Sequence, residues 1–221
     1  VILTPSCFKR KLGVKQIWFD SFIELSYLHP NYYLPDTKVY QYLNIDKDDT
    51  FILFRFVSWN ANHDIGQVGF SETSKIDIVK KLAKIHRVFI SSEGDLPAEL
   101  EEYRLYIDPS KIHDVMWSAN LFIGEGATMA SECAMMGTPA IYVNSIRLGY
   151  TEQEVELGLI YYATPDQVLE KANQLLNTQN LNFTHKDRRK RMLESKIDIT
   201  SFLVWFVENY PESIKIMKDN P

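Results

Sequence analysis

Cysteine is scarce in this sequence, a basic excess is missing, and no apolar run is long. The 221 residues contain two cysteines, Cys7 and Cys133, far apart in the chain. That argues against a disulfide framework and suits a cytoplasmic protein with free thiols. Lys and Arg number 24 against 29 Asp and Glu, for a net charge of −5. Nucleic-acid binders usually carry the opposite imbalance, so no nucleic-acid partner is expected. No apolar run approaches transmembrane length, and the first residues lack a signal-peptide pattern. Walker A motifs, zinc-type spacings, repeats and low-complexity stretches are absent, so neither a metal nor a cofactor is expected. What remains is a globular composition, 45% hydrophobic and 24% charged. The sequence opens at Val1 inside an apolar stretch with no initiator methionine. A piece of a longer chain is therefore expected.

Periodicity gives an alternating order from Thr50 onward. FILFRFVS reads as a strand and KIDIVKKLAKIH as a helix with apolar residues at helical spacing. RVFIS, RLYI, NLFIG, AIYVN and LIYYA read as further strands. PAELEEY, PSKIHDVMWSA, ATMASECAMM, EQEVELG and PDQVLEKANQLL read as helices or helical turns. VILT is a strand ended by Pro5, and residues 8–50 read as a connecting region with one helix near Thr37–Leu43. Strands alternating with helices predict right-handed βαβ units, hence an α/β fold with a Rossmann-like, doubly wound parallel sheet. FLVWFV, residues 202–207, is apolar all round and predicts a helix buried between two bodies.

The most informative stretch is LFIGEGATMASECAMMGTPAIYV, residues 121–143. A strand enters the turn Gly124–Glu125–Gly126, which feeds a helix stopped at Gly137. A dinucleotide fingerprint needs Gly or Ala where Met129 stands, and an acidic residue near Asn144 and Ser145. Both are missing, so NAD binding is not expected. The free N–H groups of Gly126, Ala127 and Thr128 would still point at an anion, with the helix dipole behind them. Thr128 and Glu132 share a helix face one turn apart. Glu132 could accept hydrogen bonds from a ribose diol, as a ligand-facing carboxylate with no structural partner. An unliganded α/β turn, with Glu132 satisfying donors inside the fold, is the competing reading. Glu125 is awkward beside a phosphate, so its side chain is expected to point away.

At these residues the chain resembles the C-terminal half of GT-B glycosyltransferases and of UDP-N-acetylglucosamine 2-epimerases. It is most similar to an uncharacterised GT-B-like family of unknown function. TPSCFKRKLG, ELSYLHP, RFVSWNANHDIGQVG, SSEG and HDVMWSANLFIGEGATMASE carry that resemblance. It implies three parts. Residues 1–49 would be the tail of an N-terminal domain plus linker, 50–180 a nucleotide-sugar-binding domain, and 181–221 helices returning toward the N-terminal domain. It further implies that Gly124, Gly126, Ala127 and Thr128 hold a diphosphate, that Glu132 holds the ribose, and that Ile107 to His113 hold the base. Glu152 and Gln153 would read sugar hydroxyls. A UDP-sugar is the favoured partner, in a glycosyltransferase of polysaccharide or glycoconjugate synthesis. A 2-epimerase and a non-catalytic nucleotide-binding module stay open as alternatives.

The segment SWNANHDIGQVG, residues 58–69, follows the first strand of the sheet domain. It offers Asn60 as a ligand contact and His63 as an acid/base or phosphate contact, or forms a hydrogen-bonded surface loop. DKDD, residues 46–49, contains the Asp-x-Asp that binds metal in GT-A transferases, but precedes a strand and reads as a turn. The basic run HKDRRKR, residues 185–191, reads as a solvated helix face, with peripheral contact to anionic lipid as the alternative. Self-association is expected from the aromatic-rich residues 17–42 and the apolar residues 202–207.

Overall fold

The computed structural model describes residues 1–58 and 69–219. Five strands form a parallel sheet: β3 (Phe51–Phe56), β4 (Arg87–Ser92), β5 (Leu121–Gly124), β6 (Ala140–Tyr142) and β7 (Ile160–Tyr162). They lie in the order β4-β3-β5-β6-β7, with every pair parallel. The α/β, Rossmann-like reading holds. The first strand of the unit sits inside the sheet, the second lies on one side and the rest run to the other. Strand order therefore reverses between β3 and β5, and the crevice at the carboxyl ends of such a pair is where open α/β sheets bind ligands.

Side chains on a strand alternate between faces, and both faces are buried here. Phe51 and Leu53 of β3, Phe122 of β5, and Ala140 and Tyr142 of β6 enter one core. Ile52, Phe54, Phe56, Leu121, Ile123, Ile141 and Val143 enter the other. The second core is covered by α3 (Glu72–Ala83) and α7 (Val168–Leu176). Ser71 caps α3 by accepting from Ser74 N–H. On the first face lies α5 (Ala127–Met136), in which every residue from Ala130 to Met136 is buried. Its small residues let it sit between the sheet and the surrounding helices. Those are α4 (Ile112–Ser118), α6 (Gly149–Glu156) and α8 (Leu181–Ser195). Gly137 ends α5 at φ 73°, the left-handed conformation that glycine tolerates.

Residues 8–50 hold more structure than their pattern suggested. A strand β2 (Gln16–Phe19) pairs in parallel with β1 (Ile2–Pro5). Two short helices follow, α1 (Leu25–Leu28) and α2 (Val39–Tyr42). Phe19, Phe22, Leu25, Leu28, Val39 and Leu43 pack into the same core as α5, so aromatic content here signals burial.

RLYI makes one bridge, Ile90 to Arg104, instead of a strand. Arg104 turns back onto Glu101 in a two-pronged pair, and the chain soon enters the Asp108-capped turn before α4. The apolar α9 (Ile199–Glu208) buries Ile199 and Phe206 yet exposes Val204 and Val207, so it is one-sided. A last helix, α10 (Glu212–Asp219), follows. No helix among the described residues is long and apolar enough to cross a membrane.

Candidate functional site

At the β3/β5 reversal a cavity of about 550 Å³ opens at the carboxyl ends of the strands. One wall is the end of β3, with Arg55, Val57 and Ser58. The floor is the turn and first helical turn, Glu125 to Met129. Glu132, Tyr142, Asn144, Leu148 and Tyr150 close the far side.

The start of α5 is uncapped. Gly126 is the N-cap residue, at φ −89° and ψ 126°, and no side chain accepts from the helix there. The N–H groups of Gly126, Ala127 and Thr128 have no acceptor among the described residues. An uncapped helix start facing a cavity favours an anion through both donors and dipole. The two glycines of the turn differ in role. A Cβ on Gly124 would lie 2.5 Å from the Phe122 ring, so packing demands glycine there. A Cβ on Gly126 would meet Val57 Cγ1 at 3.6 Å and nothing closer. The fold leaves room for a methyl group at 126, and the space beside it belongs to the cavity.

Glu125 points away from the helix N–H groups, as expected, and the structure shows what holds it. Its carboxylate accepts from Val57 N–H at 3.1 Å and Phe70 N–H at 2.7 Å, and Lys75 Nζ lies 3.6 Å away. The residue is 1% exposed. Its backbone N–H donates to Arg55 O, and its carbonyl accepts from Asn144 Nδ2. This glutamate therefore ties the ends of β3, β5 and β6 together beneath the cavity.

Glu132 combines the two readings offered for it. It lines the cavity, but it also has partners in the fold. Tyr27 OH donates to Oε1 at 2.9 Å, and His113 Nε2 lies 3.1 Å from the same oxygen. The expectation of a carboxylate with no structural partner is thus corrected. The Tyr27 and His113 rings lie 5.8 Å apart, tilted by 32°, and Tyr33 meets His113 edge-on at 6.1 Å. Burial, helped by the Glu132 charge, pushes the Tyr27 phenol well above its ordinary range, so it stays a donor.

Behind this wall Ser131 Oγ donates to the fully buried Glu154, whose Oε2 has no hydrogen-bond partner among the described residues. Burial raises the Glu154 carboxyl well above the usual range, and it raises that of nearby Glu24. Both thiols are free and buried. Burial holds Cys7 up at about 11 and raises Cys133, so neither is a nucleophile at neutral pH.

Of the residues singled out in the sequence, Gly126, Ala127, Thr128 and Glu132 share the cavity, and His113 joins them through Glu132. Gly124 shapes the turn from below. Ile107 packs against the core. Glu152 pairs with Lys9 on the outer side of α6, and neither it nor Gln153 lines the cavity. Asn60 and His63 lie outside the described residues. Sequence reasoning missed Arg55, whose guanidinium bonds Ser91 Oγ at 2.8 Å and Glu93 Oε1 at 2.7 Å at the cavity edge. Its signal was a cation in an otherwise apolar strand. Partial burial pushes the Glu93 carboxyl up, but the Ser58 N–H and Arg55 outweigh it and hold it below the ordinary value.

Solved structures that share this architecture include the following three. The glycosyltransferase SnogD from Streptomyces nogalater matches with TM-score 0.53 at 14% identity, over 86% of this chain and 56% of that one. A UDP-N-acetylglucosamine 2-epimerase matches with TM-score 0.52 at 12% identity, over 91% and 54%. The S. aureus MnaA–UDP complex matches with TM-score 0.51 at 13% identity, over 78% and 48%. The chain spans about half the length of these proteins, and the likeness is one of fold. No curated protein matches the sequence. Residues 13–212 match the family described as "Protein of unknown function (DUF354)", and the chain belongs to that family.

Proposed function

We propose that this chain is the donor-binding half of a nucleotide-sugar enzyme, a glycosyltransferase of the GT-B type that takes a UDP-sugar. The observation that supports it most is the uncapped start of α5 at the β3/β5 reversal, with glycine at a position where the fold needs none. In this reading the diphosphate lies on the N–H groups of Gly126, Ala127 and Thr128, and Glu132 accepts from the ribose. As the bond between sugar and phosphate breaks, negative charge grows on the leaving diphosphate, and the fixed donors stabilise it without reorganising. Residues 1–49 then end an N-terminal domain and link it to the sheet, and 181–221 return toward that domain, which supplies the acceptor site. Polysaccharide or glycoconjugate synthesis is the matching role. Glu125, awkward as a bare neighbour of a phosphate, is tied to Val57 and Phe70 and leaves the start of α5 clear.

Calorimetry with UDP, GDP, CMP and their sugars tests the reading on wild type and Gly126→Val. UDP should bind the wild type best. The variant should stay folded, losing no more than about 1 kcal/mol as a poorer N-cap, and should lose about 10- to 150-fold in affinity as its side chain takes the space of the phosphate and costs one charge-assisted hydrogen bond. Absence of binding by every nucleotide, or equal binding by the variant, would overturn it.

A further inference from the structure

We propose that the loop of residues 6–15, between β1 and β2, docks this protein on an anionic lipid surface. No acidic residue occurs before Asp20, while Lys9, Arg10, Lys11 and Lys15 are all exposed. Arg10, Lys11 and Lys15 make no ion pair among the described residues. Apolar side chains stand out between them: Val14 is 87% exposed at the tip and Phe8 is 39% exposed. Cations flanking an exposed apolar tip match a bilayer interface, where the charges meet phosphate headgroups and the tip enters the acyl boundary.

The loop is held in shape. Gln16 Oε1 accepts from Leu12 N–H at 2.7 Å, and its Nε2 donates to Arg10 O at 3.1 Å and Thr4 Oγ1 at 2.9 Å. Gly13 turns the tip at φ 88°. Little ordering entropy is then lost on contact. The loop is also anchored beside the cavity. The Cys7 carbonyl lies so close to Gly149 that a Cβ there would come within 1.8 Å of it, and Lys9 pairs with Glu152. Leu148 and Tyr150, on either side of Gly149, line the cavity. The base of the loop, at Cys7 and Lys9, therefore lies next to the cavity wall.

Net charge cannot produce this attraction, because the whole chain is at −5. The test is co-sedimentation of the chain with vesicles of phosphatidylcholine alone and of equal parts phosphatidylcholine and phosphatidylglycerol. Binding should need the anionic lipid and weaken with salt. Arg10→Glu with Lys11→Glu should reduce it by about tenfold or more, since each cation near the surface adds about fivefold. Val14→Asp should reduce it while leaving melting unchanged. Lys190→Glu with Arg191→Glu, on the exposed face of α8, should leave it intact. Loss through the α8 pair instead, indifference to the loop variants, or equal binding to both vesicles would overturn the proposal. Release by free inorganic phosphate at constant ionic strength would also overturn it, since that would mark a small-anion site.

Discussion

Replacing Glu125 with Gln should destabilise the protein sharply, although it changes one atom. The carboxylate satisfies two backbone donors, Val57 N–H and Phe70 N–H, on opposite flanks of the segment that leaves β3. A Gln side chain has one acceptor oxygen and an amino group that can only donate. One buried N–H must then go unpaired, at about 1–3 kcal/mol. Lys75, with a side chain 17% exposed, loses its counter-charge at 3.6 Å. Breaking a fully buried pair costs about 3–5 kcal/mol. Lys75 is not fully buried and keeps its contact 4.7 Å from the Phe56 ring centre, so about 1 kcal/mol is a fair share. The sum is about 2–4 kcal/mol, or a fall of roughly 4–16 °C in melting temperature for a chain of this size. Differential scanning calorimetry at neutral pH reads this directly. A shift of less than about 1 °C would refute the reasoning, because it corresponds to under about 0.5 kcal/mol.

Two further substitutions probe the wall of the cavity. Glu132→Gln should weaken nucleotide binding about 10- to 150-fold, and it should also lower the melting temperature, because Tyr27 and His113 lose their carboxylate partner. Tyr27→Phe should lower stability and largely spare affinity, and unchanged melting in both variants would contradict the Oε1 contacts. Glu154 carries a pH signature. Burial keeps its carboxyl protonated in the fold after the unfolded chain has ionised, so the folded state binds the extra proton and loses stability as pH rises through the carboxylate range. The wild type should therefore melt progressively further below Glu154→Gln as pH rises above the ordinary carboxylate range, and parallel curves for the two would count against a protonated Glu154.

The sheet was legible because its strands carry their signal locally. Short apolar runs such as FILFRF and LFIG, separated by helical spacing, need no tertiary information to be read. The start of α5 was legible for the same reason, since an uncapped helix after a glycine turn is a local feature. Residues 16–28 were not, because β2 and α1 are four-residue elements made by tertiary packing of Phe19, Phe22 and Leu25 against α5. The partners of Glu132 were hidden likewise. Tyr27 and His113 lie 105 and 19 residues away in sequence, and only the fold brings them to one oxygen. Arg55 and Glu125 show the same limit. Arg55 drew no reading from the sequence, and Glu125 read only as an awkward neighbour of a phosphate, until their partners across the strand ends were visible.

A crystal structure of the chain grown with UDP tests the central claim most directly. The account predicts diphosphate oxygens within hydrogen-bond distance of the N–H groups of Ala127 and Thr128, the ribose at Glu132, and the Glu125 carboxylate still on Val57 and Phe70. UDP bound away from the start of α5, or a Glu125 carboxylate swung into the cavity in place of the phosphate, would contradict it.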